Sequence, residues 1–121
     1  MTSTSSYAEG IDLQRELSRR MRDLDRAIEE LKPRGTALSE AEAEYRIALA
    51  SKIVDLRAEG TPVTIISDLA RGDEGVATLK LKRDNAEVLY KSAMEAVNGV
   101  KKKIGIINDQ IQREWSNASR G

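Results

Sequence analysis

Apolar residues recur along this chain at steps of three and four, the spacing of one helix face, and no long periodic segment alternates as a strand does. Leu13, Leu17, Met21, Leu24, Ile28 and Leu31 share such a face. Pro33 and Gly35 follow, a clash with the preceding turn and then a bend, so a first helix is predicted over about 11–32. Residues 1–10 are rich in Ser and Thr and read as a flexible N-terminus, where the capping-box spacing of Ser6 and Glu9 is offset by Gly10. Ser39 with Glu42 forms a second capping box and opens a helix over about 39–59, closed by Gly60. Its buried face is Ala41, Tyr45, Leu49, Ile53 and Leu56, with Ile47 and Val54 outside the stripe. Thr61 as N-cap and Pro62 at the first helical position predict a short helix over about 62–71, ended by Gly72 and carrying Val63, Ile65, Ile66 and Leu69.

The longest pattern begins at Val76. Val76, Leu79, Arg83, Ala86, Tyr90, Ala93, Val97, Val100, Ile104, Ile107 and Ile111 alternate in steps of three and four without a slip, with Arg83 the one charged member. This is a coiled-coil seam on a helix of about 73–115, roughly 65 Å long at the helical rise. Val97, Val100, Ile104 and Ile107 are expected to be its driest part, and residues 117–121 to fray. The expected fold is all-α: an elongated antiparallel helical bundle or coiled coil forming a single domain over 11–116. Its one long C-terminal helix packs on two shorter helices through a short corner helix. A second stripe on the long helix, Leu81, Val88, Ser92, Gly99 and Ile106, lies roughly 130° from the seam. Together with Trp115 it is the expected oligomer or partner interface, because a helix with two apolar faces is hard to cover within one short chain.

Composition narrows the chemistry. The chain has 121 residues, with 20 Lys and Arg against 20 Asp and Glu, and so no net charge. It contains no Cys, His or Phe, which excludes a disulfide scaffold, a thiol or imidazole metal site, and catalysis by Cys or His. Carboxylate pairs are many, but none lies on an otherwise apolar face where burial raises a pKa. Neither a phosphate-binding loop nor an apolar run of the ~18 residues that a membrane span needs is present. The expectation is a non-enzymatic, soluble intracellular protein with no cofactor, no metal site and no membrane contact.

Charge patterning leaves one alternative open. Arg15, Arg19, Arg22 and Arg26 fall on one line of the first helix, the geometry of possible phosphate contacts. Acidic neighbours at helical spacing, as in Arg19–Asp23 and Arg26–Glu30, favour a neutralised surface instead. Lys101, Lys102 and Lys103 span too wide an arc for one patch and read as a solvated collar. The stretch LRAEGTPVTIISDLARG at 56–72 has the layout of a helix-turn-helix front, yet the following helix opens with Asp73 and Glu74, which repel phosphate. A corner between two helices accounts for the same residues, with Asp73 as the N-cap. Trp115 lies near the end of the continued seam and is expected to plug it or to anchor a partner.

Three stretches carry a resemblance: EAEYRIALA at 42–50, the EGTPVTII turn at 59–66, and RGDEGVATLKLKRDNAEVLYKSAMEAVNGVKKKIGIINDQIQREW at 71–115. Over about residues 12–116 the chain resembles a family of small helical proteins from temperate phages and prophages of Gram-positive bacteria. Such proteins are encoded among early genes near recombination and single-strand-binding functions. The resemblance implies no catalytic residues. It implies a phage protein whose partner belongs to the phage or its host, and it makes an accessory nucleic-acid-binding role in replication or recombination the alternative to protein–protein interaction.

Overall fold

The computed structural model describes residues 2–120, and side chains over 10–119. Three helices occupy almost all of it: α1 over Thr2–Ala58, α2 over Val63–Gly72 and α3 over Glu74–Arg120. Among the described residues there is no strand. The all-α expectation holds, while the helix boundaries differ from it in three places.

The first and second expected helices are one. Pro33 lies inside α1, where it removes a backbone donor and crowds the carbonyl one turn back, at ~3 kcal/mol. Half-buried side chains precede and follow it on the same helix, Leu31 before and Leu38 after, so packing on both sides offsets that cost. Gly35 is no breaker either: a Cβ there would lie 3.3 Å from Cε2 of Tyr90, so glycine makes room for that ring. Ser39 is mid-helix, and Glu42 turns from the expected cap to Arg46, at 2.7 Å, and to Arg83. At the chain ends α1 begins at Thr2 rather than near residue 11, and α3 continues to Arg120 rather than fraying after 116. Propagation of an established helix needs only one hydrogen bond per added residue. Met1 and Gly121, the outer ends of the segments expected to be loose, lie outside the described residues.

The chain divides into two compact units, Leu31–Ser92 and Met1–Glu30 with Ala93–Gly121. In the first, the end of α1 and the start of α3 run antiparallel, since partners descend on one helix as they climb on the other: Lys52 with Asp73, Glu44 with Lys82, Glu42 with Arg83, and Gly35 with Tyr90. Its core is Leu56, Ile66 and Ala70, with Leu49 and Ile53 packed against them. Val63, Ile65 and Leu69, the other apolar residues carried by the short helix, are exposed. A ten-residue helix crossing a corner turns one i, i+4 line inward, here Ile66 and Ala70.

The corner itself is built by the backbone. Gly60 has φ 81°, the Thr61 N–H donates to the Leu56 carbonyl at 3.1 Å, and the Gly60 N–H to that of Arg57 at 3.1 Å, which together form a Schellman C-cap. Gly60→Ala is expected to cost about 1 kcal/mol, seen as a lower urea midpoint at unchanged m-value, because a Cβ is disfavoured in the left-handed region. Pro62 rather than Thr61 holds the N-cap of α2, with ψ 132° and no side-chain capping bond. Asp73 caps α3 as expected: its carboxylate accepts from the Val76 N–H at 3.2 Å, which lowers its pKa, with Lys52 adding to the effect.

In the second unit Leu13, Leu17, Arg20, Leu24 and Ala27 of α1 are among the half-buried positions, in the same unit as Ala93, Val97, Val100, Ile104, Ile107 and Ile111 of α3. Met21 and Ile28, expected on that face, are exposed. Both patterns share the line Leu17, Leu24, Leu31 and differ only in which flank turns inward. Arg20 tolerates the flank because Glu16, at 2.9 Å, and Asp23, at 3.3 Å, hold its guanidinium.

Candidate interaction surface

The seam of α3 is where the periodicity placed it. Leu79, Ala86, Tyr90, Ala93, Val100, Ile104 and Ile111 are half-buried, and Val76, Val97 and Ile107 are buried. Its driest point is not at Val97–Ile107, however. Within the seam Val76 is 3% exposed, against 6% at Val97 and 7% at Ile107. Arg83 sits in the seam with its side chain 28% exposed. Its Nε donates to Glu42, and its Nη1 donates to Glu87 and, at 3.2 Å, to Asp84. These bonds, that to Glu42 foremost, raise its pKa and lock in the charge. A charge at a seam position is thus paired on three sides, and it fixes which turn of α3 faces Glu42.

The second stripe of α3 points away from the seam. Leu81, Val88 and Ile106 are 60%, 62% and 58% exposed, Ser92 is exposed, and Gly99 is half-buried with open space where its Cβ would be. On the back of α1 in the corner unit, Ile47 and Val54 are exposed one heptad apart. They were legible in the sequence as apolar residues outside the buried stripe. Lys101, Lys102 and Lys103 are all exposed, as a solvated collar should be.

The arginine row splits. Arg26 bonds Asp23 at 3.2 Å and Arg19 bonds Glu16 at 3.0 Å, replacing the expected partners Glu30 and Asp23. Arg15 and Arg22 have no ion-pair partner among the described residues. With Arg19 they line a groove of ≈ 970 Å³ in the unit that joins the N-terminal part of α1 to the C-terminal part of α3. Ile11, Leu13 and Ile111 are among its apolar lining residues, and Trp115, 74% exposed, lines it together with Glu114. Trp115 is therefore not a plug. The half-buried line of α3 steps from Ile111 to Glu114, a step of three, and this turns Trp115 outward. Sequence periodicity allowed a step of three or four there, and so neither Ile11 nor Glu114 stood out as a groove residue.

Among the described residues no group of His, Cys, Asp or Glu is arranged to hold a metal ion, and no helix is long and apolar enough to cross a membrane. No protein-family model, curated protein or solved structure matches the chain. Exposed apolar side chains include those on the back of α3, on the back of α1 near the corner, and at the end groove.

Proposed function

We propose that this chain is a non-enzymatic helical protein that self-associates and acts by binding another protein. The observation that carries the reading is unspent apolar surface. Leu81, Val88, Ile106, Ile47, Val54 and Trp115 are each 58–74% exposed. Large apolar surfaces of this kind mark interaction sites. The resemblance to temperate-phage proteins supports an adaptor, scaffold or inhibitor acting on a phage or host protein. Sedimentation velocity of the full chain is expected to show an oligomer that dissociates on dilution. A monomer at every concentration would overturn the self-association part. Pull-down from host cells expressing the tagged chain is expected to recover a stoichiometric protein, and recovery of nucleic acid alone would overturn the partner part.

A second reading, an accessory nucleic-acid-binding protein of phage replication or recombination, is supported by Arg15 and Arg22 lining one groove with Trp115. Zero net charge argues against it, because affinity for the phosphate backbone is mostly electrostatic. We expect no gel shift of single-stranded or duplex DNA at ~150 mM salt. A shift abolished by Arg15→Glu with Arg22→Glu would establish the second reading in place of the first.

A further inference from the structure

We infer that the end groove is the surface through which two copies of this chain pair, each seating Trp115 against the groove of the other. The inference rests on the self-association proposed above and names its surface. A two-fold contact needs both halves of every interaction on one patch, since the same surface is donor and acceptor. The groove meets that condition. Its apolar lining residues Ile11, Leu13 and Ile111 are the receptor, and the exposed indole of Trp115 is the insert. Arg15 and Arg22 supply positive charge, and Glu114 supplies negative charge. None of these three has an ion-pair partner among the described residues, so the two signs are available to meet across the axis.

Other occupants fit less well. A uniformly acidic ligand would meet Glu114 next to the indole, and a nucleic acid would bring phosphates against the same carboxylate. A second copy turns that carboxylate into the partner of Arg15 and Arg22. Pairing there leaves the Leu81, Val88 and Ile106 stripe free for a different protein.

Trp115 is the sole tryptophan, so its fluorescence reports from the groove alone. The full chain is diluted from high to sub-micromolar concentration with emission and sedimentation followed together. The indole emission should shift to the red in step with dissociation into monomers. Trp115→Ala and the pair Arg15→Glu with Arg22→Glu should each weaken the dimer by about thirty-fold or more, the size of a hot-spot loss, at unchanged helicity. Adding Glu114→Arg to the arginine pair should restore the dimer, because the reversal recreates opposite signs across the axis. If the charge variants lose helicity, Trp115→Ala decides the matter, since an exposed side chain is dispensable for folding. A dimer that persists in Trp115→Ala, with emission that ignores dilution in the unaltered chain, overturns the groove assignment and leaves self-association standing. A chain that is monomeric throughout overturns both. Quenching of the indole by oligo(dT) that salt reverses would give the groove to single-stranded nucleic acid and overturn the pairing.

Discussion

Leu56→Ala is expected to destabilise the chain by about 3 kcal/mol, read as a fall in the urea midpoint of helix unfolding. Leu56 is buried in the corner cluster with Ile66 and Ala70, and Leu49 and Ile53 pack against it. Truncation removes the transfer energy of the lost methyl groups and leaves a cavity between α1 and α2. The Gly60 cap and Pro62 hold the corner backbone, so the walls cannot easily collapse into that cavity. Ala70→Leu tests the same site from the other side. Ala70 has no exposed surface, so extra methylene groups must displace neighbours, at about 1–3 kcal/mol. Val54→Ala, on the exposed back of the same helix, should stay within about 0.5 kcal/mol. A loss at Leu56 no larger than that at Val54 would show that the corner does not anchor the helices.

Acid should loosen the Leu31–Ser92 unit, and Arg83 should account for much of that sensitivity. Four of its carboxylates have pKa values below the ordinary range. Glu42 is lowered by its bond to Arg46 and then by Arg83, and Glu87 by Lys91 and then by Arg83. Asp84 is lowered by Lys80 and then by Arg83, and Asp73 by the Val76 N–H and Lys52. The unfolded chain therefore binds protons more readily than the folded one, so stability rises with pH across this window. The contribution is complete above the ordinary carboxylate values of 4.5 for Glu and 3.8 for Asp, and is lost as pH falls through the lower folded values. Thermal melts should fall steadily from pH 5 downward. Arg83→Met removes three of the contacts while keeping the stem, so its Tm should depend less on pH than that of the unaltered chain. Glu42 keeps Arg46 and Glu87 keeps Lys91, so some dependence remains. An unchanged acid slope in Arg83→Met would show that the seam arginine is not what holds those carboxylates ionised.

The sequence by itself determined that this chain is helical and where the seam of its long helix runs. Local spacing carries that information, because every turn of Val76 through Ile111 must meet the same neighbour whatever that neighbour is. Two caps were equally legible, Gly60 supplying the left-handed conformation and Asp73 the carboxylate, each within one turn of the chain, whereas the N-cap expected at Thr61 fell to Pro62. Tertiary structure alone decided the rest. Pro33 and Gly35 look like a stop until Tyr90 of another helix fills the space at Gly35 and packing on both sides carries α1 through the proline. Arg20 and Ala27, not Met21 and Ile28, turn inward, because a line such as Leu17, Leu24 and Leu31 fixes the middle of a face but not which flank the opposing helix covers. At the other end of the same unit, a step of three instead of four sends Glu114 along the half-buried line and Trp115 into the groove with Arg15 and Arg22. Periodicity of 3.6 residues leaves such steps nearly degenerate within one helix, and only contact with a second helix breaks the tie.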